Sequence, residues 1–236
     1  MKSVIALLQF GTSLPLGRPV DFEHFARRSY LYPLAGYVIG GIAAAVTYWI
    51  ASPAVGAAVA VAVVLLLSGC NHFDGLLDFG DGLMAHGSRE RRIAAMTDRT
   101  TGAGAVAAGI VVTLLAFAGL QSAAHLPAAI LIAEVCAKVA MSWLTTLGVP
   151  FREGIHSYLH GLAKPWFIVP TILLALPLFL LPVPRMSVAL ALAATAVIAA
   201  LMLALSGRLF GGVNGDVVGA TNEIVRAGVI LLLALL

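Results

Sequence analysis

Long apolar runs broken by short polar connections dominate the chain. Windows able to cross the roughly 30 Å of a bilayer's hydrocarbon fall at 31–51, 54–70, 102–120, 126–147, 165–182 and 186–206. A further run at 225–236 is shorter than the about 20 residues a span needs and reads as a truncated or tilted last helix. Because lipid leaves no water for unpaired backbone groups, such runs must be helices. The pattern predicts an all-α, polytopic transmembrane helical bundle of six to seven spans. It forms one membrane domain over residues 1–236, with polar loops on one side at about 71–101 and 207–225. The opening MKSVIALLQFGTSLPL is too short for a span and lacks a small-residue cleavage site, so it predicts a helix lying at the membrane interface. Gly36, Gly40 and Gly41 give the first span a small-residue packing face.

Composition agrees with this pattern. The chain is 61% hydrophobic and 11% charged, against roughly 25% charged residues in soluble domains, and its mean hydropathy is +1.00. The net charge of +3 does not mark a nucleic-acid binder, because the basic residues sit in connections between spans. Lys2, Arg18, Arg27 and Arg28 precede the first span, and Arg89, Arg91, Arg92 and Arg99 lie between the second and third. Arg152 and Lys164 lie between the fourth and fifth, and Arg208 and Arg226 flank the connection after the sixth. All fall on one side, with Arg185 alone on the other. Positive charge at this density predicts the cytoplasmic face of the cytoplasmic membrane, with the functional face turned inward. Cys70 and Cys136 show no metal or redox spacing and read as free thiols.

The candidate chemistry is concentrated in one stretch, Asn71 to Gly104. Asp74, Asp78 and Asp81 stand at i, i+4 and i+7, so a helix projects all three carboxylates from one face. A solvated acidic face is the plain alternative, but charges are scarce in this chain and these cluster between apolar segments. Stacked carboxylates repel, and a hard divalent cation such as Mg²⁺ neutralises them while accepting substrate phosphates as further ligands. Asp81 and Asp98 are the candidates for a catalytic carboxylate, either as ligand or as general base. Arg99 is a candidate phosphate partner, and Gly102 and Gly104 open the next helix, where backbone N–H groups suit an anion. A second polar cluster carries Asn214 and Asp216 on the same side of the membrane. Glu134 and Lys138, four residues apart inside a span, should face the bundle interior, and His72 adjoins the carboxylate helix. No Walker loop, dinucleotide fingerprint or HExxH zinc motif is present. The residues alone point to magnesium-dependent transfer of a phosphate or diphosphate group at the cytoplasmic membrane face.

Three segments extend that reading: HFDGLLDFGDGL with the following TDRTTGAGA, GGVNGDVVGATNEI near the end, and LLQFGTSLPL with YPLAGYVIGG near the start. Together they resemble the adenosylcobinamide-GDP ribazoletransferase family, also called cobalamin 5′-phosphate synthases. The resemblance implies a polytopic inner-membrane phosphotransferase requiring Mg²⁺. In it a ribose hydroxyl of α-ribazole, or of its 5′-phosphate, attacks adenosylcobinamide-GDP and GMP leaves. It implies an acidic centre at Asp74, Asp78, Asp81 and Asp98, with Asn214 and Asp216 in a second polar element. The segment from Glu134 to His160 carries the resemblance less clearly. Homo-oligomerisation is left open. The competing readings are a CDP-alcohol phosphotransferase, an aspartate-rich prenyltransferase and an ion-coupled transporter. The first wants an arginine that Leu76-Leu77-Asp78 does not supply. The second wants paired aspartate-rich motifs, and the third wants inverted repeats that the chain does not show.

Overall fold

A computed structural model describes all residues 1–236. Twelve helices follow one another: α1 (Lys2–Gly11), α2 (Glu23–Ala26), α3 (Tyr32–Thr47), α4 (Pro53–Leu67), α5 (Asn71–Met84), α6 (Arg89–Met96), α7 (Ala103–Ser122), α8 (Leu126–Leu147), α9 (Ile155–Leu162), α10 (Ile168–Ala175), α11 (Arg185–Phe210) and α12 (Gly215–Ala234). There are no strands beyond one isolated parallel bridge between Pro150 and Val213. Prolines in the first turns of α3, α4 and α8 mark their starts, where a missing N–H costs nothing. Ser52 adds a cap to α4, its hydroxyl accepting from Val55 N–H. Gly211, at φ 85°, supplies the left-handed residue that ends α11.

Five helices are each long and apolar enough to cross a membrane: α3 with its preceding turn, α7, α8, α11 and α12. Two bent pairs, α4 with α5 and α9 with the stretch from Pro165 to Leu180, raise the count to seven if each is one span. The bend between α4 and α5 is 95°, made at Gly69 and Cys70, both at positive φ. The second window, expected as a continuous 54–70, therefore stops at Leu67 and hands over to the carboxylate helix.

Helix α8 is the axis of the bundle, with 83% of its apolar window buried. On one flank α3 packs against it closely. A Cβ on Gly36 would stand 2.7 Å from Val135 Cα, and one on Gly40 would stand 3.0 Å from Leu131 Cα. Two of the three expected packing glycines thus face α8, while Gly41 has open space. On the other flank lies α12, joined to α8 by a buried ionic group. Lys138 donates to Asn222 at 2.6 Å and stands 3.5 Å from Glu134, while Arg226 donates to Glu134 at 3.1 Å and also pairs with Glu223. Two acids and two bases cancel, so no net charge is left in the interior.

That group corrects the reading of the chain's end. The last helix starts at Gly215, ten residues before the apolar run that seemed to announce it, and Arg226 is a buried helical residue instead of a loop cation. Asn222, Glu223 and Arg226 depress the hydropathy of a helix whose polar side chains have partners inside the bundle. The segments expected as loops at 71–101 and 207–225 are likewise mostly helical, lying in α5, α6, α11 and α12, with only 211–214 as a turn between the last two. The N-terminal segment is a helix, as the sequence suggests, and Ala6 and Leu7 are buried. Gln9 pins the strap that follows it, donating to the Arg18 carbonyl and accepting from Val20 N–H, both at 2.9 Å.

Candidate active site

One face of α5, the connection from α6 to the start of α7, the turn after α8 and the start of α12 converge at one end of the bundle. There they enclose a polar cleft of about 370 Å³ whose walls include Asp74, Asp78, Asp81, Asp98 and Asp216, with Arg99 and Arg152. The helical spacing of the first three carboxylates is realised, since all lie on α5 and face this cleft. Asp216 joins them because α5 and α12 touch backbone to backbone. A Cβ on Gly75 would stand 2.9 Å from the Asp216 carbonyl oxygen, and one on Gly219 would stand 3.1 Å from that of His72. A Gly75→Val substitution should force the two helices apart, at a cost of about 1–3 kcal/mol. The expected result is a melting temperature lower by on the order of 5 °C, together with lost activity. Unchanged melting and activity would show that the contact does not set the site.

Each carboxylate has a distinct setting. Asp81 is held on both oxygens: Oδ2 accepts from Gly102 N–H and Oδ1 from Ala105 N–H, each at 2.8 Å. It therefore caps the start of α7, where orphan N–H groups and the helix dipole favour an anion. Gly102 and Gly104 serve this junction. A Cβ on Gly102 would meet Asp81 Oδ1 at 2.5 Å, and one on Gly104 would meet the Gly80 carbonyl oxygen at 2.5 Å. The anion that the α7 start takes up here is the protein's own. Asp98 is exposed, and its Oδ1 accepts from Thr100 N–H at 2.9 Å and Thr100 hydroxyl at 2.7 Å. The Thr100 hydroxyl and amide hold its carboxyl below the ordinary carboxylate range, which makes it a weak base. Asn214 lies behind the cleft, buried, as the cap of α12. Its Oδ1 accepts from Val217 N–H at 3.0 Å and its Nδ2 donates to Asp216 Oδ2 at 2.6 Å. It orients Asp216 and does not itself line the cleft. The carboxylates of Asp74 and Asp78 make no hydrogen bond to the protein, so both are free for a ligand.

The arginines divide in the same way. Arg92 donates to the Leu83 carbonyl at 2.8 Å, closing the end of α5, and Arg89 lies against Gly211. Arg99 lines the cleft as the sequence suggested, while Arg152 is the residue that sequence reasoning missed. Arg152 reaches the cleft because the strap after α8 is tied to the turn before α12. Val213 N–H donates to the Val149 carbonyl at 2.8 Å, and Phe151 N–H donates to the Val213 carbonyl at 3.3 Å. Its only signal was a basic residue in a connection on the expected side.

No three His, Cys, Asp or Glu side chains converge closely enough to form a metal cage by themselves. The donor set still suits Mg²⁺, which typically takes one or two carboxylates and completes its shell with waters and substrate phosphates. Asp74 and Asp78 would be the residues to supply those carboxylates, and a cation there would offset the crowding of five acids.

The fold is that of an integral, polytopic membrane protein with an acidic, arginine-bordered cleft at one end of its helices. A family model described as cobalamin-5-phosphate synthase matches residues 3–234. A protein of Methanocella arvoryzae named adenosylcobinamide-GDP ribazoletransferase is 36% identical, the match covering 96% of this chain and 92% of that protein. Proteins of the same name from Halorubrum lacusprofundi and Deinococcus radiodurans are 37% and 36% identical, the matches covering 93% and 92% of this chain and 91% and 80% of theirs. No solved structure matches the chain. The chain belongs to the cobalamin-5-phosphate synthase family, and it is a transferase of cobalamin biosynthesis.

Proposed function

We propose that the chain joins adenosylcobinamide-GDP to α-ribazole or its 5′-phosphate, releasing GMP, with Mg²⁺ in the aspartate cleft. The observation that carries this reading is the meeting of five aspartates with Arg99 and Arg152 in one cleft. That combination suits a diphosphate bridged to a divalent cation. Mg²⁺, when bound, would be held by Asp74 and Asp78 and would neutralise charge on the diphosphate. Arg152 and Arg99 pair with phosphate oxygens and orient the diphosphate for in-line attack. The ribose hydroxyl oxygen forms a bond to the phosphorus bearing the cobinamide, and the bond from that phosphorus to the oxygen bridging to the GMP phosphate breaks. The hydroxyl proton passes to a cleft carboxylate, and GMP leaves as a phosphate monoester. Asp98, its Oδ1 tied to the Thr100 amide and hydroxyl, shapes the loop that carries Arg99.

The distribution of Lys and Arg favours a cytoplasm-facing cleft in the cytoplasmic membrane, where nucleotide substrates are found. The test is incubation of purified protein with adenosylcobinamide-GDP, α-ribazole and Mg²⁺, followed for GMP and cobamide. Both products should appear in equal amounts and depend on Mg²⁺; no GMP under any acceptor would sink the proposal. Arg152→Ala should raise KM for the GDP-bearing substrate at least about tenfold, equivalent to one charge-assisted hydrogen bond. Arg152→Lys should recover only part of that loss, since a lysine cannot make the bidentate contact. A KM unchanged in both variants would remove Arg152 from the site.

A further inference from the structure

A second cavity, of about 450 Å³, lies on the other side of the α12 start, roofed by α1 and floored by α8. Asp216 lines both it and the aspartate cleft. Its walls are largely apolar and partly aromatic, with Leu7, Phe10, Tyr32 and Leu159 among them. Polar groups break that apolar lining: Asn71, Lys138 and Thr145, and two histidines, His72 on α5 and His156 on α9. Each histidine is buried, and each carries an Nδ1 with no hydrogen-bond partner. His156 keeps its other nitrogen on the Gly148 carbonyl at 2.9 Å, so its ring orientation is fixed while Nδ1 stays free. Buried polar atoms are seldom left unpaired, and each one calls for an explanation. An apolar cavity with a few convergent polar groups is the ordinary form of a small-molecule site, and this volume lies in the usual range.

We infer that this cavity is the acceptor site, holding the ring system of a flat, nitrogen-containing aromatic riboside with its ribose hydroxyls directed at Asp216. The inference rests on the transferase reading above and deepens it. The apolar and aromatic walls take the fused ring, which gains most from leaving water. The two free histidine nitrogens offer hydrogen-bonding positions to ring nitrogens or sugar hydroxyls. The sugar end then sits where the two cavities share Asp216. Asn214 occupies Asp216 Oδ2, leaving Oδ1 to accept the proton as the hydroxyl oxygen attacks phosphorus. The arrangement delivers acceptor and diphosphate from opposite sides of one carboxylate, as in-line transfer requires.

The experiment uses the full chain in lipid nanodiscs. Binding of α-ribazole is measured first, without divalent metal or nucleotide, and steady-state KM values for both substrates follow. The variants are His72→Gln, His156→Gln and Leu159→Trp, each checked for an unchanged melting temperature. Glutamine preserves the hydrogen bond of His156 to Gly148 and removes only the free nitrogen, while tryptophan fills the cavity. Wild-type protein should bind α-ribazole saturably. In the folded variants affinity should fall at least about tenfold and acceptor KM should rise in proportion, while KM for adenosylcobinamide-GDP stays within about twofold. Asp216→Asn should lower kcat by about two orders of magnitude, leaving α-ribazole binding within about threefold. Acceptor KM unchanged in every folded variant of a protein that turns over would overturn the inference while the transferase reading stands. If wild type releases no GMP, the transferase reading falls, and the binding measurement still decides the cavity: no saturable α-ribazole binding overturns the assignment.

Discussion

Asp78→Asn should lower GMP release at least about 100-fold, the scale seen when one preorganised electrostatic partner is lost from a transfer site. The protein should remain inserted and folded, because Asp78 makes no hydrogen bond that holds a helix. Asparagine keeps the size and one oxygen of the side chain while removing the charge that a hard cation needs. The same substitution at Asp81 should behave differently. Asp81 spends both oxygens on the Gly102 and Ala105 amides, so Asp81→Asn should lower the melting temperature as well as the rate. The pair is read out by melting in detergent beside an assay for GMP. Turnover of Asp78→Asn within a few fold of wild type would remove the metal role from α5. Equal melting of the two variants would contradict the division of labour among the carboxylates.

The second large effect lies in the buried ionic group between α8 and α12. Arg226→Met should cost about 3–5 kcal/mol of stability, because breaking a buried pair strands a charge. With Arg226 gone, Glu134 and Glu223 are left with one cation, Lys138, inside a buried helix interface. Adding Glu223→Gln makes the group neutral again, leaving the Glu134–Lys138 pair intact. The double variant should therefore recover more than half of the stability lost by the single one, a coupling characteristic of neighbours in one network. Melting or reversible unfolding in bicelles measures both. Simple additivity of the two substitutions would show that the charges do not act as a unit.

What the sequence revealed depended on whether the signal was local. The three α5 aspartates were visible because helical spacing alone puts them on one face. The packing glycines of α3 were visible for the same reason. The start of α12 was hidden because Asn222, Glu223 and Arg226 look like loop chemistry until their partners on α8 are known. Hydropathy counts a side chain's polarity and not whether it is paired. Arg152 was hidden by sequence distance, since two backbone hydrogen bonds to Val213 bring it to carboxylates some seventy residues away. The same cause conceals the second cavity, whose walls come from six helices and carry no motif. Asp81 carries a duty that spacing does not show. A carboxylate that looks like a ligand by spacing is also the cap of α7, and only the three-dimensional contact separates those two duties.

Everything proposed for the cleft depends on Asp74 and Asp78 holding a cation that grips the nucleotide's diphosphate. A ligand-bound map of the protein, obtained with Mg²⁺ and adenosylcobinamide-GDP, tests it most directly. Metal density is expected between those two side chains, with the diphosphate beside it and the Arg152 guanidinium on its oxygens. A nucleotide bound elsewhere, with Asp74 and Asp78 facing bulk water, would contradict it.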